Sequence, residues 1–159
     1  MSETDQNVAA LGARIHTMRD QIGRAFLGQQ EVVDQVIVSL LAAGHVLLEG
    51  VPGLGKTLLV KAIARCIQGD DARIQFTPDL MPSDISGHAV YDMKTEAFSV
   101  RRGPVFTNLL LADEINRTSP RVLSALLEAM NEEQVTIDGE TRALEAPFMV
   151  IATQNNTST

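Results

Sequence analysis

A single cysteine, Cys66, stands in 159 residues, so the chain has no disulfide framework and no cysteine-based zinc pattern. Cys66 falls on the apolar side of a helical stretch, and the expectation is a buried, inert thiol in a reducing cytoplasm. Histidine is nearly as scarce: His16, His45 and His88 are scattered and match no metal-ligand spacing. No apolar run approaches the ~18–20 residues that a membrane span requires. The polar, acidic stretch from Met1 to Asn7 lacks the character of a secretory signal. Basic residues are outnumbered, 13 Lys and Arg against 20 Asp and Glu, giving a net charge of −7 and a pI near 4.9. A field of that sign repels nucleic-acid phosphates and anionic membranes, and Arg101-Arg102 is the one basic cluster. There is no internal repeat and no low-complexity segment. What remains is a chain of ordinary hydrophobicity, 45% apolar, with the length of one domain built on one core.

Within it, Gly50-Val51-Pro52-Gly53-Leu54-Gly55-Lys56-Thr57 is a complete G-x-x-x-x-G-K-[ST] phosphate-binding loop. His45 to Glu49 before it reads as a short buried strand. Leu58 to Ile67 after it reads as a helix, with apolar residues at 59, 60, 63, 66 and 67 and a stop at Gly69. Gly53 and Gly55 let successive backbone N–H groups turn inward around phosphates where side chains would block them. The nucleotide then sits on the positive end of the helix dipole. Lys56 supplies a mobile charge for the β- and γ-phosphate oxygens, and the Thr57 hydroxyl can ligate Mg²⁺. The candidate nucleotide-binding run extends from Gly50 to Leu58.

The rest of the chain supplies a sheet around this loop. Val8, Leu11, Ile15, Met18, Ile22 and Phe26 recur at intervals of three and four, making one stripe of an amphipathic helix that packs on the domain or docks on a neighbouring subunit. A second helix from about Gln30 to Ala43 is apolar at 32, 33, 36, 37, 40 and 41 and ends at Gly44. Ala72 to Thr77 reads as the next strand, and Ser83-Asp84 could cap a short helix at Ile85. His88 to Tyr91 and Ala97 to Val100 read as an inserted β-hairpin closed by Gly103-Pro104. Leu109 to Ala112 is apolar throughout, as in a strand covered on both faces. Ser119 as N-cap and Pro120 at the first position start a helix with Val122, Leu123, Leu126, Leu127 and Met130 on its apolar face. A second hairpin turns at Asp138-Gly139, and a last buried strand runs from Phe148 to Thr153.

The strand at Leu109 delivers Asp113-Glu114 at its carboxyl end, where open α/β sheets place ligand chemistry. A Mg²⁺-dependent triphosphatase needs an acid for the metal and a group that polarises water. Asp113 fits the first role, beside Thr57, and Glu114 the second. Asn155, closing the next strand, can donate to a γ-phosphate and hold the water.

With Phe76-Thr77-Pro78-Asp79-Leu80-Met81-Pro82-Ser83-Asp84, Gly103-Pro104-Val105-Phe106, Ala112-Asp113-Glu114-Ile115-Asn116-Arg117 and Ala152-Thr153-Gln154-Asn155 added to the phosphate loop, the chain resembles the MoxR family of AAA+ ATPases from Phe26 to Asn155. The resemblance implies a three-layer αβα P-loop NTPase fold of AAA+ type, with parallel strand order 5-1-4-3-2 and two β-hairpin inserts. It implies an N-terminal helix over 1–26 and a partial AAA+ core over 27–159, with ATP and Mg²⁺ as cofactors. Asn155 becomes sensor 1, and Leu27-Gly28-Gln29 lines the adenine pocket. Such proteins form rings, usually hexamers. They act as chaperone-like remodellers in the maturation of client proteins or insertion of metal into them, often with von Willebrand factor A-domain partners. The family usually has proline after the sensor 1 asparagine, where this chain has Asn156. The family's arginine finger, last core strand and helical lid lie beyond the pattern seen here. The expectation is accordingly a fragment that turns ATP over poorly and self-associates through the edge of the phosphate-loop strand. An ATP-hydrolysing remodeller and a nucleotide-binding assembly fragment without turnover both stay open. A motor acting on DNA is disfavoured by the acidic balance.

Overall fold

Four parallel strands form the central sheet in a computed structural model that describes residues 2–25, 30–49 and 53–154. They are β1 (Val46–Glu49), β2 (Asp71–Gln75), β5 (Leu109–Asp113) and β8 (Met149–Gln154), ordered β1-β8-β5-β2. In core-strand terms this is 1-4-3-2, the order the resemblance implies for those four. Between them stand the two expected antiparallel hairpins, β3 (Gly87–Asp92) with β4 (Ala97–Arg102) and β6 (Gln134–Ile137) with β7 (Glu140–Ala143). The helices are α1 (Glu3–Ala25), α2 (Gln30–Leu41), α3 (Gly53–Ile67), α4 (Pro82–Ser86) and α5 (Pro120–Glu132). No helix among the described residues is long and apolar enough to cross a membrane.

Because strand side chains alternate between faces, the fully buried β5 feeds two separate cores. Leu109 and Leu111 join Met149 and Ile151 under Leu59 and Ile63 of α3, Val33, Val36 and Ile37 of α2, and Ile22 of α1. Leu110 and Ala112 join Val150 and Ala152 under Val122, Leu126 and Ala129 of α5 and Val135 and Ile137 of β6. His45 ties the layers together at the start of β1. The Val150 N–H donates to His45 Nδ1 at 2.9 Å, which leaves Nε2 to carry the proton and donate to the Met130 carbonyl at 3.1 Å. Gly87 holds the base of the first hairpin. Its φ is +96°, and a Cβ there would stand 2.1 Å from the Arg101 carbonyl oxygen.

Several local expectations are corrected. The short helix α4 is capped two to three residues earlier than expected: Met81 is its N-cap, and its N–H donates to the Asp84 carboxylate at 2.8 Å. Asp84 is therefore the reciprocal acid of the first turn, and Ser83 is no cap. Ser119 does occupy the N-cap of α5, but its hydroxyl makes no capping bond. Leu127 faces outward rather than into the core, and Ala129 takes the inward place. Cys66 is half-buried, its thiol donating to Gln21 Oε1 at 3.2 Å, and burial pushes the thiol pKa up. α3 begins at Gly53, five residues before the expected start, so the helix takes in the end of the phosphate loop.

The apolar stripe of α1 is used over only part of its length. Ile22 is fully buried and Ile15 and Met18 pack against the core, whereas Val8 and Leu11 are 65% and 55% exposed. Arg19 fixes this half of the helix to α2 through a two-pronged pair with Asp34, Nε to Oδ1 at 2.6 Å and Nη2 to Oδ2 at 3.1 Å. Ile22→Ala should therefore destabilise the protein by about 2–5 kcal/mol, while Leu11→Ala stays within ~0.5 kcal/mol. Urea unfolding of the two variants measures the difference. Equal losses would mean that the first half of α1 is packed in solution.

Candidate functional site

Lys56, Ser86, Asp113 and Thr153 are the buried polar or charged residues of the described chain. All but Ser86 meet at one point, the carboxyl edge of the sheet. β5 carries Asp113 there because its alternation puts Leu109, Leu111 and Asp113 on the face covered by α3. Thr153 arrives from the neighbouring β8 on the same face, two residues beyond Ile151. Lys56 comes from the first turn of α3, where the helix dipole already attracts an anion.

The geometry is centred on the carboxylate. Asp113 Oδ1 accepts from the Thr153 hydroxyl at 2.5 Å and lies 3.5 Å from Lys56 Nζ. Oδ2 accepts from Arg73 Nη2 at 2.8 Å, and Arg73 Nη2 also reaches Gln75 Oε1 at 2.9 Å. Burial alone would raise the pKa of Asp113. The Thr153 hydroxyl, the Arg73 guanidinium and the Lys56 ammonium outweigh it and hold the carboxyl below the usual carboxylate range.

Glu114 follows in a left-handed conformation, φ 58° and ψ 52°, which for a non-glycine residue costs on the order of 1–2 kcal/mol. Two contacts support it. Its N–H donates to the Thr153 hydroxyl oxygen at 3.0 Å, and its Oε2 accepts from Arg117 Nη1 at 2.9 Å across the 3-10 turn Ile115–Arg117. Thr57 is half-buried one residue past Lys56, and Leu58 is 41% exposed. Gly53 and Leu54 open α3 and Gly55 lies in its first turn. Gly28, Gln29, Gly50, Val51, Pro52 and Asn155 lie outside the described residues.

The structure thus brings Lys56 and Asp113 into contact and sets Glu114 beside them. It adds three residues to which sequence reasoning gave no role: Thr153, Arg73 and Arg117. The signal for Thr153 was its polarity in the otherwise apolar run Phe148 to Ala152. For Arg73 it was a charge placed inside a strand, two residues from Asp71 and Gln75 on the same face. Hard oxygen donors suit Mg²⁺, and the buried, ionised Asp113 together with the Thr57 hydroxyl forms a fitting donor set.

A phosphate-loop strand, a buried acid at the end of the third core strand and the 1-4-3-2 order define an AAA-type P-loop core. The family model described as "ATPase family associated with various cellular activities (AAA)" matches residues 45–159. The chain is 54% identical over 136 residues to YeaC of Bacillus subtilis, a protein of uncharacterized function, covering 86% of this chain and 42% of that one. It is 50% identical over 148 residues to the chaperone MoxR1 of Mycobacterium tuberculosis, covering 91% of this chain and 39% of that one. A crystal structure assigned as an ATPase from Cytophaga hutchinsonii superposes with a TM-score of 0.76 at 42% identity, covering 96% of this chain and 48% of that one. The chain belongs to the MoxR family of AAA+ ATPases. It spans less than half the length of these relatives.

The cluster makes an asymmetric prediction for the nucleotide-free protein. Asp113→Ala leaves Lys56 buried without its acid and should destabilise by roughly 3–5 kcal/mol, as breaking a buried pair does. Lys56→Ala leaves Asp113 with Arg73 and Thr153 and should lose no more than about 1.5 kcal/mol. Chemical denaturation of both variants tests this, and a Lys56→Ala loss as large as that of Asp113→Ala would contradict it.

Proposed function

We propose that this chain binds ATP through Gly50 to Leu58 and serves the hydrolysing core of a chaperone-like remodeller. The observation that carries the reading is the convergence of Lys56, Asp113 and Thr153 at the carboxyl edge of the sheet, directly behind a complete phosphate-loop sequence. Lys56 would turn from Asp113 to the β- and γ-phosphates. Asp113 and Thr57 would hold Mg²⁺, whose bound charge offsets that of the phosphates. Glu114 would polarise the attacking water, and Asn155 would orient it against the γ-phosphate. Gly28 and Gln29 would border the adenine. Arg117 pairs with Glu114, so it would have to release the carboxylate for this role.

The wider assignment rests on kinship with proteins named as MoxR chaperones. It comprises a homo-oligomeric ring, a client protein undergoing maturation or metal insertion, a von Willebrand factor A-domain partner and a cytoplasmic location. Nucleic acid is not a partner on this reading, because the acidic balance of the chain opposes it.

Lys56→Ala should weaken ATP binding by about 10-fold or more, since charge-assisted contacts contribute roughly 1.5–3 kcal/mol. Calorimetric titration measures it, and unchanged affinity would overturn the site. Where turnover is assayed, Glu114→Gln should bind ATP as the parent does and hydrolyse it roughly 10²–10⁴-fold more slowly. Parent-like turnover would move the water-polarising role to another residue.

A further inference from the structure

We propose that Thr153 is a positioning residue for both acids of the site, fixing the Asp113 carboxylate for the metal and the Glu114 backbone for the water. The proposal rests on the nucleotide reading above and adds to it a residue of the strand that leads to Asn155. A hydroxyl has one proton and two lone pairs. The Glu114 N–H can only donate, so at 3.0 Å it occupies a lone pair of Thr153 Oγ1. The proton is left to a single direction, and Asp113 Oδ1 lies there at 2.5 Å. Thr153 is 1% exposed, so water does not compete for either bond. One side chain thus sets the rotation of the carboxylate and supports the left-handed turn that aims Glu114.

Packing gives no reason for a hydroxyl at this position. Met149, Val150, Ile151 and Ala152 before it are buried and apolar, and valine has the shape of threonine and a higher preference for a buried strand. Leu48 is its partner in β1, so the hydroxyl also stands on the strand bonded to the one that enters the phosphate loop. The hydroxyl therefore ties β8 to the end of β5 at the point where nucleotide, metal and water would meet.

Thr153→Val removes the hydroxyl at constant shape, and Thr153→Ser restores it without the methyl group. Thr153→Ala is a second deletion should the valine variant fail to fold. Two quantities are measured on the 159-residue chain. Amide hydrogen exchange at Glu114 in the nucleotide-free protein should quicken by about 10-fold in Thr153→Val and stay near the parent in Thr153→Ser. The gain in ATP affinity on replacing EDTA by Mg²⁺ should shrink by about 10-fold in Thr153→Val, with Mg²⁺-free affinity unchanged and Thr153→Ser retaining the gain. A purely structural role would instead weaken both affinities together, and that result overturns the proposal. So does a valine variant with the parent's full Mg²⁺ gain, whatever its exchange rate. A parent chain that binds no ATP would be a failure of the nucleotide reading itself, and it is told apart by the parent titration alone.

Discussion

A carboxylate at the end of a fully buried strand takes up a proton unless donors meet it. Asp113 is in that position, and the surrounding structure answers from three directions. β8 supplies a hydroxyl, α3 an ammonium and β2 a guanidinium. Each donor requires its element to lie at the right height and on the right face. The register of β2 and β8 against β5, the start of α3 at Gly53, and the hydrogen bonds of Glu114 all serve the same point. A one-residue slip of β8 would turn Thr153 to the other face and leave Asp113 Oδ1 against Ala152 or Gln154. The electrostatic requirement of one acid thus fixes registers that apolar packing, tolerant of exchange among Val, Ile and Leu, would leave less certain.

The sheet divides its labour between faces. The face under α3 holds the charged cluster together with the core of α1, α2 and the phosphate-loop helix. The opposite face holds α5, the base of the second hairpin and Phe76, with no buried charge among the described residues. Ile22 sits in the same core cluster as α3, and the Arg19–Asp34 pair ties α1 to α2. The last two turns of α1 therefore pack on the helix whose first turn carries Lys56. The first half of α1 has no such task in this chain, which accords with the exposure of Val8 and Leu11.

Much of this was legible in the residues because each level of signal agreed. The strand before and the helix after the phosphate loop, the apolar run ending in Asp113 and the Asp138-Gly139 turn are short-range patterns, and each produced an element of the expected kind. Contacts that depend on register were not legible. The resemblance made β2 and β5 neighbours, but nothing in the spacing between Arg73 and Asp113, forty residues apart, announces the register that sets Gln75 opposite Asp113. Thr153 read as part of an apolar strand because its partners come from other strands. The stripe on α1 read as one continuous face, for the domain or for a neighbouring subunit, because periodicity reports which residues share a face, not how far the neighbouring helices extend along it. Leu127 failed for the related reason that α5 carries more apolar residues than its inward face takes up, with Ala129 buried and Leu127 left outside.

The three donors to Asp113 differ in a way that bears on how the site could work. Thr153 and Arg73 stand at 2.5 and 2.8 Å, within hydrogen-bond range, while Lys56 is at 3.5 Å, a looser ionic contact. Coulomb attraction falls slowly with distance, but the directional part of a hydrogen bond is largely gone at 3.5 Å. Lys56 is thus the donor that Asp113 loses most cheaply. Were a phosphate to draw the ammonium away, the carboxylate would keep a hydroxyl and a guanidinium as its donors. If Lys56 were its sole partner, nucleotide binding would strip Asp113 of its charge balance just when a metal needs an anion. With Thr153 and Arg73 in place, moving the lysine leaves behind an oriented carboxylate of unchanged sign, which is the state a divalent cation requires.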